Sequence, residues 1–319
     1  MITMSSTSEA SVGTKAVWEL PQRMGLTADL QRLQEFLAEW VQQTDPEVRT
    51  MIEMQLSGRA KYFRPVTIFA CYRSMVDEPP SEQVLAAAAG LELLHNVSLI
   101  IDDILDRSRY RRGKLALHCR YGFLPALMTS GYITSATSRL VATDPYSVHL
   151  LAELMQRLGV AECLQWRLRR HALGTEDWRM IAGEDTGSMF EICARLGSRD
   201  NRLQNYGKLL GILYHGCDDV ADVRGTTALG GGSARDIEDA ILTLPVAIAV
   251  RDPETALLFR NASKENRAEL TSRLVLALPA AENYLDGVAA EAEAEAVTNA
   301  KHPERLLALI RDTRLLSRA

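Results

Sequence analysis

Positive charge is scarce in this chain: 36 lysines and arginines stand against 41 aspartates and glutamates, a net charge of -5. No global field is available to hold nucleic acid or an anionic membrane, so nucleic acid is not an expected partner and any anion site must be local. Aromatic residues make up only 6% of the chain, and few segments alternate with period two, which disfavours a sheet protein. Cysteines are few and unpatterned. Cys71, Cys119, Cys163, Cys193 and Cys217 are odd in number and include no C-x-x-C pair. Neither a disulfide framework nor a zinc site fits, and reduced thiols of a cytoplasmic protein are expected. Long apolar runs are also missing: none approaches the ~18 to 20 residues that cross a bilayer, and the densest, 240–250, contains Pro245. No integral membrane segment is expected. Residues 1–15 are rich in Ser and Thr, lack the apolar core of a signal peptide and are expected to form a disordered tail, leaving 16–319 as one domain.

What is present favours helix. A hydrophobic fraction of 47% supplies a substantial core, and Ala, Leu, Glu and Arg are abundant. Residues 30–41, 84–105, 150–168 and 203–223 repeat apolar side chains at three- and four-residue spacing, the pattern of helices with a buried stripe. Residues 289–297 alternate Glu with Ala, neither a strand former, and read as a solvated helix. Punctuation is short, at 77–80, 144–146, 197–200, 230–232 and 252–253. The glycine run 230–232 lacks the preceding strand and following Lys-Ser/Thr of a phosphate cradle and reads as a loop. With no long linker and no fixed repeat, the expected architecture is a single all-α helical bundle.

Two acidic clusters interrupt the apolar pattern. Leu99-Ile-Ile-Asp-Asp-Ile-Leu-Asp106 places Asp102 and Asp106 on one helical face with Asp103 adjacent, and Cys217-Asp-Asp-Val-Ala-Asp222 repeats the arrangement with Asp218, Asp219 and Asp222. Carboxylates on apolar helices repel one another and need a counter-charge. Two such faces opposed in a bundle offer hard oxygen ligands in an open site, which suits Mg²⁺ shared with substrate phosphates. Basic residues flank the first cluster: Arg111-Arg112-Gly113-Lys114 follows it, and Gly58-Arg-Ala-Lys-Tyr-Phe-Arg-Pro65 precedes it. Carboxylates and guanidinium forks together point to a polyphosphate held partly by metal and partly by Arg and Lys.

On these motifs the sequence resembles the trans-polyprenyl diphosphate synthases, the farnesyl and geranylgeranyl diphosphate synthase group. The matching segments are Lys61-Tyr-Phe-Arg-Pro65, His95 through Asp106 with Arg111-Arg-Gly-Lys114, Thr186-Gly-Ser-Met-Phe190, and Asp218-Asp-Val-Ala-Asp222 followed by Leu242-Thr-Leu-Pro245. The resemblance implies an isoprenoid synthase fold, an all-α domain with a central cavity, usually in a homodimer. It implies three Mg²⁺ ions with substrate bound, ligated by Asp102, Asp103, Asp106, Asp218 and Asp222, with Asp219 outside that set. It further implies that Arg111 holds an allylic diphosphate, that Lys61, Arg64, His95 and Arg112 hold isopentenyl diphosphate, and that Thr186 lies at the reacting centre. Val97 and Ser98 occupy the positions that set product length; Val97 is too short to close the cavity, which implies a product of about C20 or longer.

The chain departs from the family pattern on the allylic side. Asp185 stands where a Lys precedes Thr-Gly, Leu229-Gly230-Gly231 replaces a Leu-Gly-Lys string, Ile241 replaces a further Lys, and the Gly-Gln pair has no clear counterpart in 162–167. A Lys-to-Asp exchange beside a diphosphate cannot be neutral, since one unit charge at ~4 Å is worth about 4 kcal/mol at an effective dielectric near 20. Either Arg195, Arg224 or Arg235 compensates, or Asp185 joins the metal shell, or ordinary elongation is impaired. His215, where the family usually has Gln, is the histidine placed to assist a proton transfer, but a lone His on a mostly apolar helix reads first as a satisfied core residue. Three functions stay open: a chain-elongating prenyltransferase, a class I terpene synthase or irregular prenyltransferase on the same fold, and a weakly active partner subunit.

Overall fold

Asp-Pro dipeptides start three of the helices. Asp45, Asp144 and Asp252 each occupy the N-cap with Pro46, Pro145 or Pro253 in the first turn, where proline lacks only an amide that would be unbonded anyway. Asp45 accepts from the Glu47 amide at 2.9 Å and Asp252 from the Thr255 amide at 2.9 Å. Asp144 is used differently, binding Arg199 and the Ser147 hydroxyl, and so ties the start of one helix to the end of another.

The computed structural model describes residues 20–57, 61–76, 78–225 and 233–317. Among these, the helices are α1 (Thr27–Gln42), α2 (Pro46–Leu56), α3 (Phe63–Met75) and α4 (Glu82–Leu105), then α5 (Leu117–Tyr121), α6 (Phe123–Leu140) and α7 (Pro145–Leu168). There follow α8 (Thr175–Glu184), α9 (Thr186–Ser198), α10 (Gln204–Arg224), α11 (Ser233–Glu238) and α12 (Leu244–Ala249). The chain closes with α13 (Pro253–Arg260), α14 (Arg267–Asn299) and α15 (Glu304–Leu316). The all-α expectation holds, and the four periodic segments fall within α1, α4, α7 and α10 to within a residue or a turn. The tail 1–15, Asp77 and the loop residues 229–232 lie outside the described residues.

The bundle centres on α9 and α10, with α3 packed on α9 and α14 on α10. Glycine makes the central crossing close: a Cβ on Gly207 would lie 2.5 Å from the Phe190 carbonyl oxygen, and one on Gly211 2.6 Å from that of Thr186. Larger residues there would force the helices apart, and with them Thr186 and His215. One contiguous apolar core runs from Leu20 to Leu316, with Trp178, Tyr206, Phe69, Phe190 and Phe259 as its largest fully buried side chains. All five cysteines are free, three of them buried.

Three features differ from expectation. The basic stretch after α4 is a β-hairpin, β1 (Tyr110–Arg111) pairing antiparallel with β2 (Lys114–Leu115). Its two-residue loop, Arg112-Gly113, has φ of 51° and 77°, the positive pair that a type I′ turn requires. The Glu/Ala stretch 289–297 is helical but not wholly solvated, because Ala289, Ala292 and Ala296 are buried while the glutamates face outward. Finally, α4 is long and apolar enough to cross a membrane by composition, yet 78% of its most apolar window is buried inside the bundle. It is apolar because α1, α3, α6, α7 and α9 all pack on it.

Candidate active site

The last turn of α4 presents Asp102 and Asp103, with Asp106 at the C-cap. Asp102 is half-buried, and its carboxyl is pushed up to about 8, first by burial and then by the neighbouring Glu162, Asp185 and Asp106. Asp103 turns away from that face. It is buried and receives the Arg111 guanidinium on Oδ1, 2.7 Å from Nη2 and 2.9 Å from Nε, leaving Oδ2 buried without a partner. Arg111 owes its place to the hairpin, which folds the chain back over the end of α4.

On α10, Asp218 is pushed up to about 6 by burial and the adjoining Asp219, and its Oδ1 is a second buried oxygen without a partner. Asp222 reaches about 8 through burial and the charges of Asp218 and Asp236. Asp219 is engaged structurally: its Oδ2 accepts from the Trp178 indole at 2.9 Å and from the Leu244 amide at 2.8 Å. Two further carboxyls join the cluster and were not singled out from sequence. Glu162 on α7 is raised to about 7 by burial, Asp185 and Asp106, and Asp236 on α11 to about 7 by burial, Asp219, Asp106 and Asp218. Glu162 falls where the Gly-Gln pair has no obvious counterpart, and Asp236 follows the glycine-rich loop, so neither sits in a recognisable motif.

These carboxyls fit a hard divalent cation. They are oxygen donors only, two of their oxygens are buried and unpaired, and their mutual repulsion marks a site short of positive charge. Among the described residues no three of them converge on one point as a closed cage. Mg²⁺ that keeps waters and shares diphosphate oxygens suits such an open arrangement.

Cations gather nearby. Arg64 makes no ion pair among the described residues; its Nη1 donates to His95 Nε2 at 3.1 Å, its Nε contacts Met189 Sδ, and its guanidinium lies 5.7 Å from the Phe190 ring centroid. Because Arg64 can only donate, Nε2 of His95 accepts, which assigns the imidazole proton to Nδ1, a buried atom without a partner. Burial and then Arg64, Arg112 and Arg111 hold His95 well below its usual pKa, so it is neutral. Arg112, exposed at the hairpin turn, likewise forms no ion pair among the described residues. Burial lowers the Lys61 pKa, Asp218 opposes that, and Arg112 adds to it. Lys61, Arg64 and Arg112 thus form a cationic group with a neutral donor beside it, and Lys61 and Arg64 lie within the electrostatic reach of Asp218.

Of the arginines expected to compensate Asp185, neither Arg195 nor Arg224 faces it. Arg195 is held by Glu153 and Glu191, and Arg224 by Glu282 and the Ser317 carbonyl; the side chain of Arg235 lies outside the described residues. Among the described residues, His215 is the cationic group in contact with Asp185. Its Nδ1 lies 3.3 Å from Asp185 Oδ2 and 2.9 Å from Thr186 Oγ1, while the Thr186 hydroxyl donates to Asp185 Oδ2 at 3.2 Å. Burial disfavours the imidazolium, but Asp219, Asp185 and Asp218 outweigh it and raise His215 to about 9. Burial also pushes the Asp185 carboxyl up, yet the His215 and Thr186 contacts win and leave it below the ordinary carboxylate value. Val97 is buried in the core, and the Ser98 hydroxyl is tied to the His95 carbonyl at 2.9 Å.

The electrostatics set a pH dependence. Asp102, Asp218, Asp222, Glu162 and Asp236 have folded pKa values above their unfolded ones, so between about pH 4 and about pH 8 the native state binds more protons and stability falls as pH rises. His215 acts in the same direction: its contribution is complete below its unfolded pKa of 6.5 and is lost as pH passes its folded value of about 9. The metal-free protein is expected to melt at progressively lower temperature from about pH 6 to about pH 9, and Mg²⁺ with inorganic pyrophosphate should flatten that slope. Calorimetry at several pH values checks this; a melting temperature that climbs with pH would contradict the assignment of the cluster.

The polyprenyl synthetase family profile matches residues 45–277. A nonaprenyl diphosphate synthase of Mycobacterium tuberculosis is 25% identical over 265 residues, covering 78% of this chain and 78% of that protein. Among solved structures, a heptaprenyl diphosphate synthase of Staphylococcus aureus superposes with a TM-score of 0.83 at 20% identity, covering 92% of this chain and 98% of that one. A polyprenyl synthase of Caulobacter crescentus, solved with calcium and isoprenyl diphosphate, gives 0.80 at 22% identity over 98% and 100% of the two chains.

Proposed function

The chain belongs to the polyprenyl synthetase family, and from that premise we propose that it is a prenyltransferase joining an allylic prenyl diphosphate to isopentenyl diphosphate, with Mg²⁺ as cofactor. The observation that carries the reading is the pairing of two carboxylate sets on α4 and α10, each raised by its neighbours, with the cationic group Lys61, Arg64 and Arg112 beside neutral His95. A diphosphate with divalent ions supplies the charge each half lacks.

Asp102, Asp106, Asp218 and Asp222 would hold the ions, three with substrate bound, and Asp103 would contribute its unpaired Oδ2 while fixing Arg111. Mg²⁺ held there would supply positive charge to offset the negative charge developing on departing pyrophosphate. Arg111, fixed by Asp103, is preorganised to grip the allylic diphosphate. Arg64 and Arg112, which form no ion pair among the described residues, would bind isopentenyl diphosphate with Lys61, and the His95 Nδ1 proton would supply a neutral donor. The Thr186 hydroxyl, held by Asp185 and His215, lies on the α9 side of the site. Apolar walls exclude water from the allylic cation until the isopentenyl double bond attacks it and a proton leaves.

Two observations bear on assembly and setting. Phe123, Leu124, Leu127 and Met128 form an exposed apolar strip on α6, each at least 49% accessible, which supports a homodimer through that face. Exposed Cys119 and Cys163 remain free thiols, which supports a reducing, cytoplasmic setting.

Val97 bears on product length. Its small side chain supports a product of about C20 or longer, and Val97→Phe should shorten it, at an overpacking cost of ~1–3 kcal/mol. Mass analysis of the products checks this; an unchanged distribution from a folded variant would place the floor elsewhere.

Asp185 and Ile241, where the family carries lysines, favour a second reading, a terpene synthase or irregular prenyltransferase that ionises the same substrates. Incubating the protein with each allylic diphosphate, with and without isopentenyl diphosphate, separates the two. Elongated diphosphates that require isopentenyl diphosphate are expected; hydrocarbons formed without it would establish the alternative.

A further inference from the structure

Three aromatic rings meet beside Arg64. Phe63 of α3 and Phe190 of α9 are buried and pack edge to face, with ring centroids 5.7 Å apart. Tyr214 of α10 closes the group, 5.2 Å from Phe63 and 5.4 Å from Phe190. Tilted contacts at these distances hold an aromatic ring in place. The chain neighbours of the two phenylalanines fix the arginine as well: Arg64 follows Phe63, and Met189, which its Nε contacts, precedes Phe190. The packing that positions Arg64 therefore also positions Tyr214.

Packing accounts for the ring but not for its hydroxyl. Other packed tyrosines spend theirs on the backbone: Tyr206 donates to the Leu306 carbonyl at 3.2 Å, Tyr146 donates to the Arg195 carbonyl at 3.3 Å, and Tyr132 accepts from the Asp45 amide at 3.1 Å. The Tyr214 hydroxyl makes no hydrogen bond among the described residues. Tyr214 is half-buried and stands one helical turn before Asp218, on the same face of α10. The charges that act on the hydroxyl are those of Arg64, Asp218 and Arg112, so it lies within reach of both the cationic group and the second carboxylate set. Burial, the largest influence, pushes it up to about 12, and the phenol keeps its proton as a neutral donor. Glu92, the buried carboxyl near Arg64 and Arg112, is itself pushed up to about 7 by burial and offsets those cations only in part. The acceptor that two guanidinium groups attract to this place is the oxygen of an anion.

We propose that the Tyr214 hydroxyl donates to a terminal oxygen of the diphosphate held by Lys61, Arg64 and Arg112, which makes Tyr214 a further substrate-binding residue. With His95 it gives that diphosphate two uncharged donors among three cations, so the group is oriented without more positive charge being added to mutually repelling guanidinium groups. Identifying the diphosphate as isopentenyl diphosphate rests on the function proposed above; the contact between hydroxyl and diphosphate does not.

Tyr214→Phe keeps the ring and removes only the hydroxyl. Inorganic pyrophosphate and isopentenyl diphosphate are titrated calorimetrically into the full chain and into this variant, each in EDTA so that the carboxylates hold no ion. Both Kd values are expected to rise about tenfold in Tyr214→Phe, the loss of one hydrogen bond to a charged acceptor, with the melting temperature unchanged. In steady-state assays KM for isopentenyl diphosphate should rise by a similar factor while KM for the allylic substrate stays the same. Equal Kd values in the two proteins overturn the proposal. Weakening that appears only when Mg²⁺ is restored assigns the hydroxyl to the water shell of an ion and also overturns it, as does a lowered melting temperature with both KM values raised. If isopentenyl diphosphate fails to bind the unaltered chain while pyrophosphate still distinguishes the two proteins, the proposed function is refuted and the hydroxyl contact stands.

Discussion

Asp102→Ala and Asp218→Ala are each expected to lower kcat about a thousandfold while leaving the metal-free protein at least as stable as the unaltered chain. The loss follows from the several kcal/mol of charge stabilisation that a bound divalent ion supplies to a leaving diphosphate, with about 4 kcal/mol corresponding to three orders of magnitude. The stability half is the more diagnostic. Burial and adjoining carboxylates push Asp102 up to about 8 and Asp218 up to about 6. Near neutral pH, ionising either group in the empty site therefore opposes folding, and an alanine relieves the repulsion. A structural carboxylate such as Asp29, buried and gripped by two nitrogens of Arg73, predicts the opposite, because its removal leaves a part-buried guanidinium unpaired. Turnover measured in saturating Mg²⁺ beside melting curves without metal separates the cases. Near-normal kcat in either variant, or a large drop in melting temperature, would remove that residue from the metal-binding set.

Legibility in the sequence tracked how local the cause was. Helices such as α4 and α10 were readable because a buried stripe repeats within the segment itself, and the two aspartate clusters stood out because carboxylates on apolar helices are costly. The hairpin at 110–115 was not, since two-residue strands carry no periodicity and Arg112 is not the residue that a left-handed turn position ordinarily selects. Glu92 and Glu162 were also hidden. Each is a single acidic residue on a helix, and only the tertiary arrangement puts Glu92 beneath Arg64 and Arg112 and Glu162 near Asp102 and Asp185. Asp185 was conspicuous as a departure, but its partner lies 30 residues on in another helix. The α9–α10 crossing that joins them depends on Gly207 and Gly211, whose need for close approach no spacing rule reveals.

Asp185→Lys on its own is expected to impair the enzyme, and Asp185→Lys combined with His215→Gln to recover most of the loss. The single change sets an ammonium against an imidazolium that Asp219 and Asp218 still help to hold protonated. Two unit charges ~4 Å apart repel by about 4 kcal/mol at an effective dielectric near 20. Asp185 and His215 are 27% and 18% accessible in their side chains, so solvent screening should leave roughly 1–2 kcal/mol, about a tenfold rise in KM for the allylic substrate. Replacing His215 with neutral Gln removes the repulsion and leaves the new ammonium free to meet the diphosphate. The double substitution should then bind the allylic substrate at least as well as the original pair, a coupling that additive effects cannot produce. Were Asp185 a metal ligand, His215→Gln could not rescue the lysine variant, and the Mg²⁺ concentration for half-maximal rate would rise in both the single and the double change. Isotherms for a non-reactive allylic thiodiphosphate, taken across the four-member cycle with and without Mg²⁺, distinguish these outcomes without reference to turnover. A double variant no better than Asp185→Lys alone would show that the carboxylate serves the metal and that His215 only accompanies it.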